Sequence, residues 1–320
     1  MTENSSEKIK SQYTFAFYNL ENLFDTKEDP LTLDDDFTAE APRKWTEKRF
    51  QNKLNKISQV ISKIGYNEIL HPPVLVGVAE VENEYVMQQL IASKFLKEKN
   101  YGYIHVDSPD ERGIDTAFLY RKDFFTVLHF KAHTLYLKTE TGQRDFTRDV
   151  LHIKGKLENE EVHVIVNHWP SRRSGANTTE SKRIKAAEKN REIITSIKEE
   201  DPNARIIVMG DFNTDPDSNP IEIVRGTDFY NPMELLLTKY EGSLNHKSEW
   251  NLFDQILVSN NFLQLHGNKF RFKISGIFNQ LELKEVKGRY KGNPFRTYAG
   301  QKYLGGISDH FPVYTIFEII

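Results

Sequence analysis

Several short runs rich in β-forming residues end on a polar side chain, and this feature constrains the fold more than any other. The runs TFAFYN, VLVGVAE, VHVIVNH and RIIVMGD end on Asn19, Glu80, His168 and Asp211. Runs of this length and composition predict β-strands. A polar group at the end of a buried strand lies at the rim of its sheet, where binding and catalytic groups are often positioned. The pattern therefore predicts a site built from several strand ends.

Two further runs begin, rather than end, beside polar residues. Asp254 lies at the start of FDQILVS, and the run Val313–Ile319 follows closely on Asp309 and His310. If all these groups share one site, some strands run towards it and others run away from it. That arrangement requires mixed or antiparallel sheets rather than a doubly wound parallel sheet. With helices available to cover the outer faces, the simplest architecture is two packed sheets between helical layers.

Periodicity predicts the individual elements. Strands are predicted over Tyr13–Tyr18, Val74–Ala79, Thr116–Tyr120, Phe124–Phe130, Val150–Leu157, Val162–Val166, Arg205–Met209, Gln255–Val258, Phe270–Ile274 and Val313–Ile319. Helices are predicted over Glu47–Gly65, Glu84–Leu96 and Asn177–Glu200, the first from the apolar stripe of Phe50, Leu54, Ile57, Ile61 and Ile64. Asn177, with Glu180 three positions later, resembles an N-terminal cap. In GDFN, the two-residue period of a strand predicts that Asp211 and Asn213 leave its tip on the same face.

Length and composition set the outer limits of the function. The 320 residues contain no linker or repeat, so we expect a single domain over residues 1–320, with residues 1–12 as a flexible tail. The formal charge is −3, so nucleic acid would have to be bound by local patches rather than by a global positive field. The absence of cysteine excludes thiolate nucleophiles and cysteine-bound metals. Without an apolar span or a visible signal peptide, a cytoplasmic protein is indicated, and we expect a monomer.

Each polar residue also has an ordinary structural explanation. Glu80 fits a solvated strand terminus, Asn19 a turn residue and His168 a packed, hydrogen-bonded histidine. Asp309 and His310 fit a turn, although an anion beside a titratable imidazole favours a site. For the run Asp34–Asp36, a solvated loop is favoured over a cation site. The joint occurrence of these residues in one order is what favours a shared site.

The motifs YNLEN, VGVAEVEN, RGIDTAFLYR, NHWPSR, GDFNTDP, FDQILVS and GISDHFPVY resemble the endonuclease/exonuclease/phosphatase family, which includes DNase I and the abasic-site endonucleases. The resemblance covers the chain from about Tyr13 to Ile316, and NHWPSR and RGID are closest to the bacterial DNase I-like hydrolases. It implies an α+β fold, a four-layer αββα sandwich of two mixed, mainly antiparallel sheets. It also implies metal-dependent hydrolysis of a phosphoester, but the fold does not decide the substrate.

By this resemblance, Asn19, Glu80 and Asp309 are the candidate ligands of Mg²⁺, which prefers hard oxygen donors and which Mn²⁺ or Ca²⁺ can replace. Asp211 and Asn213 would orient or deprotonate the attacking water and hold a phosphoryl oxygen.

The histidines would handle the remaining protons and charge. His310 would contact the phosphate or act as general base, with Asp254 against its ring. His168 is the second imidazole, and Asp115 in RGID is its candidate partner. Paired groups titrate together, so the sequence does not assign acid and base.

The substrate is indicated by local features. Arg112, Arg172 and Arg173 are candidate phosphate-binding residues. The segment Lys284–Lys302 mixes basic and aromatic residues, which suits a nucleic-acid backbone and stacked bases or, equally, a solvated loop held by aromatic packing. We expect an endonuclease acting on DNA with little sequence preference. A phosphatase or phosphodiesterase for a small molecule or lipid headgroup is the alternative, and a non-catalytic binding module is disfavoured because every expected catalytic position is filled.

Overall fold

The computed structural model describes residues 11–139, 141–172, 175–264 and 269–319. Its strands are β1 (Ser11–Leu23), β2 (Leu75–Val81), β3 (Tyr101–His105), β4 (Asp115–Arg121), β5 (Phe125–His133), β6 (Leu137–Lys138), β7 (Arg144–Asp145), β8 (Val150–Leu157), β9 (Glu160–His168), β10 (Ile206–Asp211), β11 (Phe229–Tyr230), β12 (Leu244–His246), β13 (Glu249–Asn251), β14 (Asp254–Ser259), β15 (Phe270–Ile277), β16 (Tyr298–Ala299), β17 (Lys302–Tyr303) and β18 (Val313–Ile319). The α-helices are α1 (Glu47–Ile61), α2 (Tyr66–Ile69), α3 (Glu84–Ala92), α4 (Ala176–Glu200) and α5 (Asn219–Arg225). Short 3₁₀ helices lie at Asp35–Phe37, Pro232–Leu235, Asn260–Leu263 and Leu281–Leu283.

Two six-stranded sheets dominate the structure. The first has the order β15-β18-β1-β2-β4-β3 and the second the order β11-β14-β10-β9-β8-β5. In the first sheet β1 and β2 are the parallel pair, and in the second β9 and β10 are. The other neighbours are antiparallel. Each sheet is therefore mixed and mainly antiparallel, with its parallel pair at the centre.

Three buried apolar clusters define four layers. One lies between the sheets, one joins the first sheet to α1 and α3, and one joins the second sheet to α4 and α5. Strand alternation sorts the side chains: Phe15 and Phe17 of β1 face the other sheet, whereas Ala16 and Tyr18 face the helices. The αββα sandwich indicated by the sequence is confirmed.

The strand directions bring the predicted site residues to one end of the sandwich. The register pairs Asp211, at the end of β10, with His168 at the end of β9 and with Asp254 at the start of β14. In the first sheet, β18 begins where Phe17 of β1 pairs with Val313, close to Asn19. In each sheet, the parallel pair ends where its antiparallel neighbour begins. Groups from six strand ends therefore face one another across the two sheets.

The predicted helix bounds were wrong in three places. The first helix ends at Ile61, followed by turns and the short α2, so Ile64 is buried outside α1. The helix predicted over Glu84–Leu96 is α3, which ends at Ala92 because the backbone of Ser93 is extended. The cap predicted at Asn177 was wrong because α4 begins at Ala176, with Gly175 in the N-cap position.

Other differences concern strand ends and short elements. The first strand does not end at Asn19 but continues to Leu23 through an irregularity in its pairing with β2. Helix α5, strand β3 and the short hairpin strands were not predicted, since runs of two to seven residues give little periodicity. Residues 1–10 of the predicted tail lie outside the described residues, whereas Ser11 and Gln12 pair with β18. No helix in the described ranges is long and apolar enough to cross a membrane.

Gly210, the first residue of GDFN, is required by the close approach of β9 and β10. A Cβ there would lie 2.4 Å from the backbone oxygen of Asn167. At Gly77, between the sheets, an added Cβ would instead meet the Met209 sulfur at 2.7 Å. A side chain can move aside more readily than a paired strand.

We expect Gly210→Ala to lower the free energy of unfolding by about 3 kcal/mol, at the upper end of the range for overpacking, and Gly77→Ala to lower it by about 1 kcal/mol. Urea unfolding followed by circular dichroism measures both values. An equal or reversed order would contradict the packing described between β9 and β10.

Candidate active site at the junction of the sheets

Asp211 lies at the centre of the residues brought together at this end. Its Oδ2 accepts a 2.9 Å hydrogen bond from Nδ2 of Asn19, which joins the two sheets. Nε2 of His168 lies 3.9 Å from the same oxygen, and Nε2 of His310 lies 4.0 Å from it. Asn19 and Asp211 are almost completely buried. One carboxylate is thus approached by two imidazoles and one amide.

An irregular turn in β1 presents Asn19 and Glu80 to the site. In the pairing of β1 with β2, Asn19 opposes Ala79 and Leu23 opposes Val81, so three residues of β1 lie opposite Glu80. The backbone φ angles of Glu21, Asn22 and Glu80 are 51°, 52° and 63°, in the left-handed region. Such conformations are costly for residues other than glycine and cluster at functional sites.

The turn is fastened to both polar side chains. The Glu21 amide donates to Oδ1 of Asn19 at 2.9 Å, and the Asn22 amide donates to Oε2 of Glu80 at 2.8 Å. Oε1 of Glu80 lies 3.8 Å from Nε2 of His168. Glu80 therefore belongs to the same cluster as Asp211, although the two carboxylates come from different sheets.

Three residues at this end of the first sheet fit a hard divalent cation. Asn19, Glu80 and Asp309 offer amide and carboxylate oxygens, the donors that Mg²⁺ and Ca²⁺ prefer. Another group, Asp211, Asp254 and His310, has ligand atoms within 4.8 Å of one another, but it includes an imidazole nitrogen. The group of Asn19, Glu80 and Asp309, which has only oxygen donors, is the better match for a magnesium-type ion.

His310 and Asp254 form a buried pair. Nδ1 of His310 lies 2.6 Å from Oδ2 of Asp254, at the start of β14. Burial alone would lower the pKa of His310, but the charge and hydrogen bond of Asp254, together with Asp211 and Asp309, hold its pKa well above the ordinary value. These carboxylates therefore favour the protonated form of the ring.

Asp211 has the opposite balance. Burial, and to a smaller extent the charge of Asp254, raises the pKa of Asp211 to about 6, while His310, the Asn213 amide and Asn19 act to lower it. A carboxylate with a pKa near 6 is ionised at neutral pH yet basic enough to accept a proton.

Asn213 is held beside Asp211, but not by strand alternation. Strand β10 ends at Asp211, and Asn213 has a φ of 50° beyond it. Its amide donates to Oδ1 of Asp211 at 2.9 Å, while its side chain donates to the Trp169 carbonyl at 3.0 Å. The expectation that both side chains share one strand face was wrong, because the chain turns immediately after Asp211.

The candidate phosphate-binding arginines lie at two sides of the cluster. Nη2 of Arg112 donates to Oδ1 of Asn22 at 2.5 Å and lies 3.9 Å from Glu80. Nε of Arg172 donates to the Asn213 carbonyl at 2.8 Å, and the guanidinium lies over the Phe253 ring. Arg173 lies outside the described residues.

Asp115 has contacts of its own near the β2 edge. One oxygen lies 3.1 Å from Nε2 of His105, and the other accepts from the amide of Ser108 at 3.0 Å. These contacts come from the end of β3 and the loop that follows it. The pairing of Asp115 with His168 stays a prediction.

Three residues of the site were missed from the sequence. Arg296 Nη2 lies 2.6 Å from Oδ2 of Asp309, and His310 and Arg296 together keep the pKa of Asp309 below its ordinary value although burial acts to raise it. Lys53 is buried within the apolar stripe of α1, where a lysine is a signal for a buried ion pair. The third missed residue is Glu21, which interacts with the charge of Lys53. Burial raises the pKa of Glu21 to about 7. Arg296 lies in the basic segment noted above, but nothing in that segment singled it out.

Comparison with solved structures supports the fold. An endonuclease/exonuclease/phosphatase family protein from Bacteroides thetaiotaomicron is 19% identical, with a TM-score of 0.60 and coverage of 97% of this chain and 96% of that one. A mannosyl-6-phosphatase from the same organism is 19% identical, with a TM-score of 0.56 and coverage of 95% and 98%. D. rerio TDP2 complexed with single strand DNA product is 14% identical, with a TM-score of 0.56 and coverage of 96% and 99%.

A search of curated proteins gave no match. The profile of the Endonuclease/Exonuclease/phosphatase family matches residues 14–319, which is nearly the whole chain. Together with the sandwich and the strand-end cluster, this match confirms the resemblance seen in the motifs. The chain belongs to the endonuclease/exonuclease/phosphatase family and is a metal-dependent phosphoric ester hydrolase.

Proposed function

We propose that the protein is a Mg²⁺-dependent endonuclease that hydrolyses DNA phosphodiester bonds with little sequence preference. The observation that carries the proposal is the position of Asp211, between two imidazoles and the Asn19 amide at the junction of the sheets. The similarity to a TDP2 complexed with single strand DNA product supports a nucleic-acid substrate. No element among the described residues resembles a base-reading module, which favours contacts with the nucleic-acid backbone.

In this proposal Asp211 activates the attacking water. Oδ1 of Asp211 is already engaged by the Asn213 amide, which fixes the carboxylate, while Oδ2 faces the imidazoles. Oδ2 accepts the water proton as the water oxygen bonds to phosphorus. Because burial raises the pKa of Asp211 to about 6, the carboxylate is a stronger base than an exposed aspartate.

The imidazoles act on the phosphate and the leaving group. Protonated His310, held by Asp254, offers Nε2–H to a non-bridging oxygen and stabilises the charge that develops there. His168, between Glu80 and Asp211, is placed to give a proton to the leaving oxygen as its bond to phosphorus breaks.

Asn19, Glu80 and Asp309 would hold the metal ion. When bound, Mg²⁺ supplies Lewis-acid stabilisation of the phosphoryl oxygens. Arg112 and Arg172 lie at the edges of this cluster and would grip phosphates next to the scissile one.

The segment Lys284–Lys302 divides into two parts. Tyr290 is 60% exposed, between the exposed Arg289 and Lys291, whereas Tyr298 is buried beside Trp45 and Phe37. The exposed part suits a nucleic-acid backbone and stacked bases, and the buried part anchors the loop. This division favours the nuclease.

A second candidate, a phosphatase for a small phosphoester, is favoured by one observation. A pocket of about 240 Å³ lies next to Glu80, lined by residues that include Asn22, Asp36, Arg43 and Arg112. That volume is below the usual range for drug-sized ligands and suits a single ring. The similarity to a mannosyl-6-phosphatase is consistent with such a substrate. The monomeric state and the cytoplasmic location stay predictions.

The first test is nicking of supercoiled plasmid at neutral pH with Mg²⁺ or EDTA. We expect metal-dependent nicking that falls at least about 10³-fold in the double variant Asp211→Ala, His310→Ala, because both proton and charge handling are lost. Asp217→Ala, which removes a nearby exposed carboxylate, should nick normally. Nicking retained by the double variant would contradict the assigned roles, and wild-type hydrolysis of mannose 6-phosphate without nicking would favour the second candidate.

The pH profile of kcat/KM on bis-p-nitrophenyl phosphate tests the pKa assignments. Activity should be present above and lost below about pH 6, because Asp211 must be ionised. Activity should fall again at alkaline pH, where His310 loses its proton. The Asp254 charge raises the pKa of both Asp211 and His310, so Asp254→Asn should move both the acidic and the alkaline limb to lower pH.

Asp228→Asn is the matched control for the pH profile, because Asp228 pairs with Arg191 and Lys198 on the helical side of the second sheet. It should leave both limbs in place. An acidic limb that moves upward in Asp254→Asn would contradict the assignment of Asp211 as the base.

A further inference from the structure

Lys53 is a buried cation that the proposed chemistry does not use. It lies in α1, in the helical layer of the first sheet, and only 1% of its surface is exposed. Its Nζ donates to the backbone carbonyl of Glu21. The ammonium group also feels the negative charges of Glu21, Asp309 and Glu80, in that order. A lysine in an apolar stripe is costly to bury unless it is paired.

The residue that Lys53 holds lies in the strained turn of β1. Glu21 and Asn22 have consecutive φ angles of 51° and 52°. Their backbone amides fix two of the three proposed metal ligands, since Glu21 donates to Asn19 and Asn22 donates to Glu80. The Glu21 carboxylate is fastened in turn by the Thr297 amide at 2.6 Å.

We propose that Lys53 is a positioning residue for the metal ligands Asn19 and Glu80. By donating to the Glu21 carbonyl, it keeps the turn of β1 in the conformation that presents these two side chains. The proposal rests on the proposed function, because it assumes that these two residues bind the ion. Partners that orient ligands without touching the metal commonly contribute about 10- to 100-fold to metal affinity.

Positioning and electrostatics make opposite predictions for Lys53. As a positive charge near the site, Lys53 would repel a divalent cation, and its removal would tighten metal binding. As a positioning group, its removal would loosen the turn and weaken metal binding. The direction of the change in affinity therefore separates the two roles.

The comparison uses the full chain with Glu21→Gln as the reference. Glu21→Gln keeps the backbone carbonyl that Lys53 holds, and the double variant Glu21→Gln, Lys53→Met removes one acidic and one basic group together. Binding of Mn²⁺ alone is followed by the electron paramagnetic resonance signal of the free ion, which does not depend on activity.

We expect the double variant to bind Mn²⁺ at least about tenfold more weakly than Glu21→Gln, with a similar thermal unfolding midpoint and with kcat largely recovered at saturating metal. Lys56→Met is the matched control, because Lys56 lies one turn further along α1 and donates to the Gly305 carbonyl instead. It should bind Mn²⁺ like the wild type.

Unchanged or tighter binding in the double variant would overturn the proposal while leaving the proposed function intact. If the double variant does not fold, Lys53→Gln in the Glu21→Gln background decides by the same direction of change. A wild-type chain that hydrolyses phosphodiesters with Mg²⁺ but loses no affinity in either variant refutes only the role of Lys53. A wild-type chain that does not bind Mn²⁺ refutes both proposals.

Discussion

The hydrogen bond from Asn19 to Asp211 is the contact on which the site depends, because it joins the rims of the two sheets. Each sheet supplies a central parallel pair whose strands end at this rim and an antiparallel neighbour that begins there. Glu80 and His168 come from the two parallel pairs, and His310 and Asp254 come from the starts of the neighbouring strands. If one of these strands slipped by one residue in its pairing, its side chains would move to the opposite face of the sheet and its polar group would leave the site.

The two sheets contribute different chemistry to the site. The first sheet offers the oxygen donors of Asn19 and Glu80, which are held by a strained turn, and of Asp309, which precedes β18. The second contributes Asp211 and Asp254, which raise the pKa of His310 and, like Asn19, are almost completely buried. We propose that the metal ion binds to the residues of the first sheet and that proton transfer takes place at the residues of the second. Because the two groups meet at one buried junction, both functions are within reach of the same phosphorus atom.

Much of this was visible in the sequence, for physical reasons. Strand periodicity predicted two mixed sheets, and the polar residues beside six of the strands predicted one shared site of seven residues. Sequence periodicity could not predict the turn at Glu21 and Asn22, since its left-handed backbone is imposed by contacts with Asn19, Glu80 and Lys53, which come from three separate elements. The side chain of Asn213 was likewise predicted on the wrong face, because strand periodicity does not reveal the left-handed backbone that follows Asp211. Arg296 belongs to the site through its ion pair with Asp309, and the local sequence does not indicate that pairing.

The location of the metal tests this division most directly. Crystals soaked with Mn²⁺ and measured at the manganese absorption edge would show the ion as an anomalous peak. Our account predicts a peak within bonding distance of Glu80, on the side of Asn19 and Asp309. A peak bound to His310 and Asp254 instead would contradict it, because the group assigned to proton and charge handling would then be the metal site.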